Sequence, residues 1–236
     1  VDAEAAARAA LNGQASAAPK TRNGLVESIR VLRIAFRSAR DTRGVLGVQI
    51  RDLIVCAPDD LRGVLEPLST AQRVELAARY RPGPIANPTE ATRAALRCLA
   101  RRYQSLTVEV EQLRTSLDTL TLEANPALRI AKGVGADVAS ILLIAVGDNP
   151  QRLRSEAAFA ALCGVSPIEA SSGKTVRHRL NQGGNRQANH ALWRIALVRL
   201  SSDPATKAYA KRRRAEGKST KEIIRCLKRY IAREIY

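Results

Sequence analysis

Residues 87–123 read NPTEATRAALRCLARRYQSLTVEVEQLRTSLDTLTLE, and this stretch decides the fold. Asn87-Pro88-Thr89-Glu90 is a helix start: an N-cap, a proline at the first helical position and a glutamate at the third. Behind it Leu96, Leu99, Tyr103, Leu106, Val110, Leu113, Leu117 and Leu120 recur at steps that alternate strictly between three and four. Such steps keep one helix face apolar, and sustained over several heptads they form a coiled-coil seam.

Upstream, residues 24–56 carry a second seam of the same type: Leu25, Ile29, Leu32, Phe36, Ala39, Leu46, Ile50 and Leu53, with Arg43 interrupting one slot. Pro58 ends that helix, two shorter helices are expected at 59–66 and 70–80, and Arg81-Pro82-Gly83-Pro84 is a breaker. Two seams can close on each other as an antiparallel hairpin or be shared between subunits, and the pattern leaves both open.

Downstream, Asn125-Pro126 ends the region. Gly133-Val134-Gly135 is a hairpin that feeds an apolar helix at 138–146, and Ser155 caps another at 155–163. Residues 186–201 form an amphipathic helix with Leu192, Trp193, Ala196, Leu197 and Leu200 on its apolar side. Ser219-Thr220-Lys221-Glu222 is a capping box that opens a last helix to about Tyr236. The expected fold is mostly α: a long coiled-coil helical hairpin, then a compact helical domain with a helix-hairpin-helix-like element. The expected divisions are 1–20, 21–125 and 126–236.

The 236 residues carry a net charge of +17, unevenly spread. From Ser172 to the end there are 17 Lys and Arg against 4 Asp and Glu, whereas the first 171 residues are nearly balanced. A basic final quarter on a near-neutral body points to a polyanionic partner. No apolar run is long enough to span a bilayer, and no signal peptide is recognisable. Cys56, Cys98, Cys163 and Cys226 are far apart in the chain, which suits reduced core residues of a cytoplasmic protein rather than zinc ligands or a disulfide framework. The chain opens Val-Asp-Ala-Glu without a methionine, so it reads as a piece of a longer protein.

The chemistry concentrates between Ser171 and Asn185. Ser171 and Ser172 precede Gly173, and Lys174, Arg177 and Arg179 follow, with His178 among them. Gly183, Gly184 and Asn185 then make a second turn whose backbone can lie close to nucleic acid, and Asn185, Arg186 and Asn189 could reach phosphate or base edges. A serine hydroxyl needs activation to act as a nucleophile, and cations beside a phosphate offset its developing charge. Lys132, Gly133 and Gly135 could present a cation and backbone N–H groups to a phosphate. Lys211-Arg212-Arg213-Arg214 adds a cation run. On spacing alone the serine segment is either a nucleophile or a basic loop that grips DNA without reacting.

The ordered set of motifs resembles the second domain of the DEDD-type insertion-sequence transposases, the IS-one-ten, IS-one-sixteen and IS-nine-oh-two group that includes pilin-gene invertases. It runs from Lys132-Gly133-Val134-Gly135 (Lys132 standing where the family usually has proline) through residues 153–162 and Gly164-Val165-Ser166-Pro167. It continues through Ser171-Ser172-Gly173, Arg179 and Gly183-Gly184-Asn185 to the last helix. The resemblance implies a nucleophilic Ser172, with Ser171 as second choice, that forms a covalent phosphoserine link to DNA. It implies a RuvC-like, RNase H-like first domain in which four acids bind Mg2+, of which residues 1–20 would be the end and Asp2 the last acid. The partners it implies are double-stranded DNA, an element-encoded guide RNA, and further copies in a dimer or tetramer joined by coiled-coil helices. The expected setting is the bacterial cytoplasm, at the nucleoid. The expected function is that of a transposase, with a non-catalytic helix-hairpin-helix DNA-binding module or a degenerate transposase remnant as the alternative for this chain alone.

Overall fold

A computed structural model describes residues 2–13, 18–174 and 178–236. The fold is mostly helical, and the chain divides into two compact units, residues 31–117 and residues 1–30 with 118–236. The borders fall inside the two long helices, α2 (Leu25–Val55) and α5 (Pro88–Ala124).

In the unit of residues 31–117, α3 (Asp59–Leu65) and α4 (Thr70–Ala78) sit between the long helices in sequence. Ile50 and Ile54 of α2 share a core with Leu96 and Ala100 of α5, closed by Leu65 and Val74. Further along, the Arg43 guanidinium lies 5.9 Å from the centre of the Tyr103 ring, and Gly47 faces the same ring. Rising numbers on α2 thus meet falling numbers on α5, so the helices run antiparallel within one chain. The α5 stripe behaves as its spacing predicts: Leu96, Val110 and Leu117 are buried and its other members half-buried. Asn87 caps α5 by accepting from the Glu90 N–H at 2.9 Å. The Glu90 carboxylate turns away and accepts from the Gly83 N–H at 2.6 Å, tying the Pro-Gly-Pro breaker to the helix.

The other unit holds α1 (Asp2–Leu11), α6 (Pro126–Ile130), α7 (Ala136–Val146), a short 3-10 turn at 150–152 and α8 (Glu156–Leu162). A two-stranded antiparallel hairpin follows, β1 (Ile168–Glu169) and β2 (His178–Arg179), and then α9 (Arg186–Ser202), α10 (Pro204–Ala215) and α11 (Thr220–Ile235). Helix α9 is central: Ala188, Ala191, Leu192, Ile195 and Ala196 are fully buried against α7 and α11. Ser219 and Glu222 form the expected reciprocal capping box on α11.

Three differences from the sequence reading have physical reasons. Residues 19–26 fold onto the C-terminal end of α7: Lys20 Nζ donates to the Ile144 carbonyl at 2.7 Å, and the Val26 N–H donates to Asp148 Oδ1 at 2.8 Å. Bonds of that span leave no local signal. Trp193 and Leu197, on the apolar side that the sequence pattern assigns to α9, are 38% and 37% exposed, because the core meets the side that carries Ala188, Ala191, Leu192, Ile195 and Ala196. Cys56 and Cys98 are exposed rather than core residues, Cys56 lying just past the end of α2 and Cys98 off the α5 stripe; Cys163 is buried.

Candidate nucleic-acid interface

The serine segment is the loop of the β1–β2 hairpin. Ile168 pairs with Arg179 and Glu169 with His178, so chain entering from Pro167 leaves toward Leu180 side by side. Ser171, Ser172, Gly173 and Lys174 are exposed, as are His178 and Arg179. Arg177 lies outside the described residues. The hairpin therefore presents Ser172, Lys174 and Arg179 to solvent, which suits a large substrate more than a small molecule held in a pocket.

What fixes the hairpin is at its base. Gly164 and Gly184 both have left-handed backbone, φ +63° and +84°. A Cβ on Gly164 would lie 2.5 Å from the Gly183 carbonyl oxygen, and one on Gly184 would lie 2.6 Å from the Gly164 nitrogen. Two chain segments cross here backbone to backbone, and only glycine fits. The Asn185 N–H donates to the Leu162 carbonyl at 2.6 Å, and its side chain accepts from the N–H groups of Gln187 and Ala188 as the N-cap of α9. Asn189 Nδ2 donates to the carbonyls of Cys163 at 2.9 Å and Gly164 at 3.0 Å. Lys228 Nζ of α11 then donates to Asn189 Oδ1 at 2.8 Å. Desolvation, and secondarily the charge of Arg225, holds the Lys228 pKa below its usual value. Gly183, Gly184 and Asn185, singled out for backbone approach to nucleic acid, thus build the joint from which the serine hairpin projects. Lys228 had no signal in sequence, since its role rests on a bond to a residue 39 positions away.

The glycine hairpin between α6 and α7 is also anchored. Gly133 packs on Ile195 of α9. Lys132 Nζ donates to the Ser202 carbonyl at 2.9 Å and Asp203 Oδ1 at 3.3 Å, so it stabilises the C-terminal end of α9 as a cation at the negative helix pole. Arg199 Nε donates to the Lys132 carbonyl at 2.9 Å. Hydrogen bonds from Thr206, then the Lys132 ammonium, hold the Asp203 carboxyl down to about 2. Gly135, the N-cap of α7, is exposed. A cleft of about 460 Å³ opens beside this hairpin, lined by Arg129, Gly133, Gly135, Asp137, Arg194 and Val198 among others.

The cation run lies on α10, whose start the sequence also signals, since Asp203-Pro204 repeats the cap-and-proline signature of Asn87-Pro88. Lys211, Arg212 and Arg214 are exposed. Arg213 is half-buried and bonded to Glu216 at 2.5 Å, while Arg212 lies over the Tyr209 ring at 5.5 Å. Arg186 is exposed at the first turn of α9. The structure describes α1 from Asp2 onward but not the Asp2 side chain.

Residues 125–211 match the family described as transposase, IS116/IS110/IS902 family. The matched segment contains the glycine hairpin, the serine loop and the Gly164–Gly184 joint. The chain is also similar to the uncharacterized 43.6 kDa protein of insertion element IS110 from Streptomyces coelicolor, 35% identical over 136 residues. That similarity covers 54% of this chain and 33% of the relative, so the chain spans about a third of the relative's length. No helix among the described residues is long and apolar enough to cross a membrane.

Proposed function

We propose that this chain is part of an insertion-sequence transposase that cuts and rejoins DNA through a covalent link to Ser172. The observation that carries the reading is the exposure of Ser172 on the connection between β1 and β2, inside the segment that matches the transposase family. In the proposed step Ser172 Oγ attacks a phosphodiester phosphorus. The Oγ–P bond forms as the bond from phosphorus to one deoxyribose oxygen breaks, the hydroxyl proton passes to a base, and the leaving oxygen takes up a proton. Attack by a second DNA hydroxyl on that phosphoserine reverses the exchange and needs no further co-reactant. Lys174 and Arg179, exposed on the same hairpin, are proposed to offset charge on the phosphate.

The basic C-terminal quarter, with Lys211, Arg212, Arg214 and Arg186 exposed, supports binding to DNA and to a guide RNA through phosphate contacts. Assembly of copies through the long helices belongs to the same proposal, as do a RuvC-like partner domain and a setting at the bacterial nucleoid. Asp2 is proposed as one carboxylate of an Mg2+ site. Among the described residues no group of three His, Cys, Asp or Glu side chains comes together to hold a metal ion, so no step here runs through it. For residues 1–236 alone, binding without strand exchange is the reading we favour, since the similarity covers only a third of the relative's length.

The test is covalent capture. The intact protein incubated with labelled DNA should yield a protein–DNA adduct that survives denaturation. Ser172→Ala should lose the adduct while keeping DNA binding, and Ser171→Ala should keep both. An undiminished adduct with Ser172→Ala would overturn the assignment.

A further inference from the structure

Helix α9 turns an unusual face to solvent. His190 and Trp193 stand one turn apart, with ring centres 5.2 Å apart and planes inclined by only 28°. Trp193 is 38% exposed, although it is the only tryptophan in a chain with 3% aromatic residues. The same face continues through Arg186, two turns before Trp193, and Leu197, one turn after it, both exposed. Val198, 45% exposed, lies off that face and lines the cleft beside the glycine hairpin.

Core packing does not explain this arrangement. Leu192, Ile195 and Ala196 already fill the buried side of α9 and leave the indole outside. The surroundings select the partner. Helix α9 contains three arginines and a histidine but neither Asp nor Glu. Asp137 and Glu234 reach it from α7 and α11, and each is met by one of its own arginines, Arg194 and Arg199. The next helix, α10, adds Lys207, Lys211 and Arg214, again with no carboxylate of its own. An exposed flat ring among cations suits a ligand that carries both a π-face and a negative charge. An unpaired nucleotide has both, whereas the bases of a duplex are already stacked on one another.

We propose that the His190–Trp193 face of α9 is a stacking platform for an unpaired base of single-stranded DNA or RNA, with Arg186 placed to meet the adjoining phosphate. The proposal rests on the reading that this chain binds nucleic acid, but not on the role of Ser172.

Because Trp193 is the sole tryptophan, its fluorescence reports on this face alone. A short labelled single-stranded oligothymidylate is titrated into the 236-residue chain, and label anisotropy and tryptophan emission are followed together. Emission should fall in step with anisotropy. The same strand made abasic throughout should leave emission unchanged at comparable occupancy, and a duplex should quench less than the single strand. Trp193→Ala should weaken single-strand binding roughly tenfold or more, while Trp193→Phe, which keeps a ring, should retain most of it. Binding with unchanged emission, together with wild-type affinity in Trp193→Ala, would overturn this inference and leave the nucleic-acid reading standing. No binding to single strand or duplex would overturn both. If emission instead follows protein concentration without nucleic acid, and Trp193→Ala abolishes self-association in sedimentation, the face is an interface between copies and the inference fails.

Discussion

Gly164 and Gly183 meet so closely that a single carbon added to Gly164 would lie 2.5 Å from the Gly183 carbonyl oxygen. No side chain can be accommodated at that distance unless the backbone shifts, and Gly183 lies in the segment that leads from β2 into α9. The joint therefore links the stability of the unit directly to the placement of Ser172.

Gly164→Ala and Gly184→Ala should each destabilise by several kcal/mol, about 3 or more, since left-handed backbone and a backbone clash coincide. Gly173→Ala is the control. Gly173 is also left-handed, at φ +56°, but nothing lies within 4 Å of the added carbon, so its cost should stay near 1–2 kcal/mol. Urea unfolding of the three variants measures the difference, and equal losses would show that the crossing is looser than its geometry implies.

Asn189→Ala leaves the Cys163 and Gly164 carbonyls without their side-chain donor and the Lys228 ammonium without its acceptor. A loss of about 1–3 kcal/mol is expected. Lys228→Met removes only the last bond and should cost less than Asn189→Ala. Equal costs would indicate that the ammonium, not the amide, holds the joint.

Asp203 provides a pH test. Its folded-state carboxyl titrates at about 2 rather than 3.8, chiefly through the Thr206 hydroxyl and N–H. A depressed carboxyl pKa stabilises above the unfolded value and loses that contribution as pH falls through the folded one. Wild type should therefore lose more stability between those two values than Asp203→Asn, which can still cap α10 but cannot titrate. Chemical denaturation at stepped acid pH gives the comparison, and parallel curves would refute it.

Burial raises the Cys163 thiol to about 12, so almost no thiolate is present at neutral pH. Cys56 and Cys98 are exposed. An alkylating reagent followed by peptide mass spectrometry should modify Cys56 and Cys98 well before Cys163, and denaturant should erase the difference. Early modification of Cys163 would mean that α8 opens in the native state.

The long helices are legible because their signals are local and repeated: Asn87-Pro88 starts α5, and apolar residues at steps of three and four keep one face buried or half-buried from Leu96 to Leu120. The capping box at Ser219 and the cap at Ser155 were legible for the same reason, since each involves residues three apart. Strands β1 and β2 were not, because two residues cannot display a period. The exposure of Trp193 is not legible in sequence, because α9 is flanked by core on only part of its circumference and a hydrophobic period does not say where the core ends.

The motif residues divide in the same way. Sequence by itself determined that Ser172 sits before a glycine among cations, that the C-terminal quarter is strongly basic, and that the chain is helical, because charge, chain order and helical period are properties of neighbours. Only tertiary structure decided that Gly164 and Gly184 cross, that Asn189 and Lys228 secure the crossing, and that His190 and Trp193 face solvent. Those relationships join residues distant in the chain, or depend on which side of a helix meets the core, and are set by packing rather than by local preference.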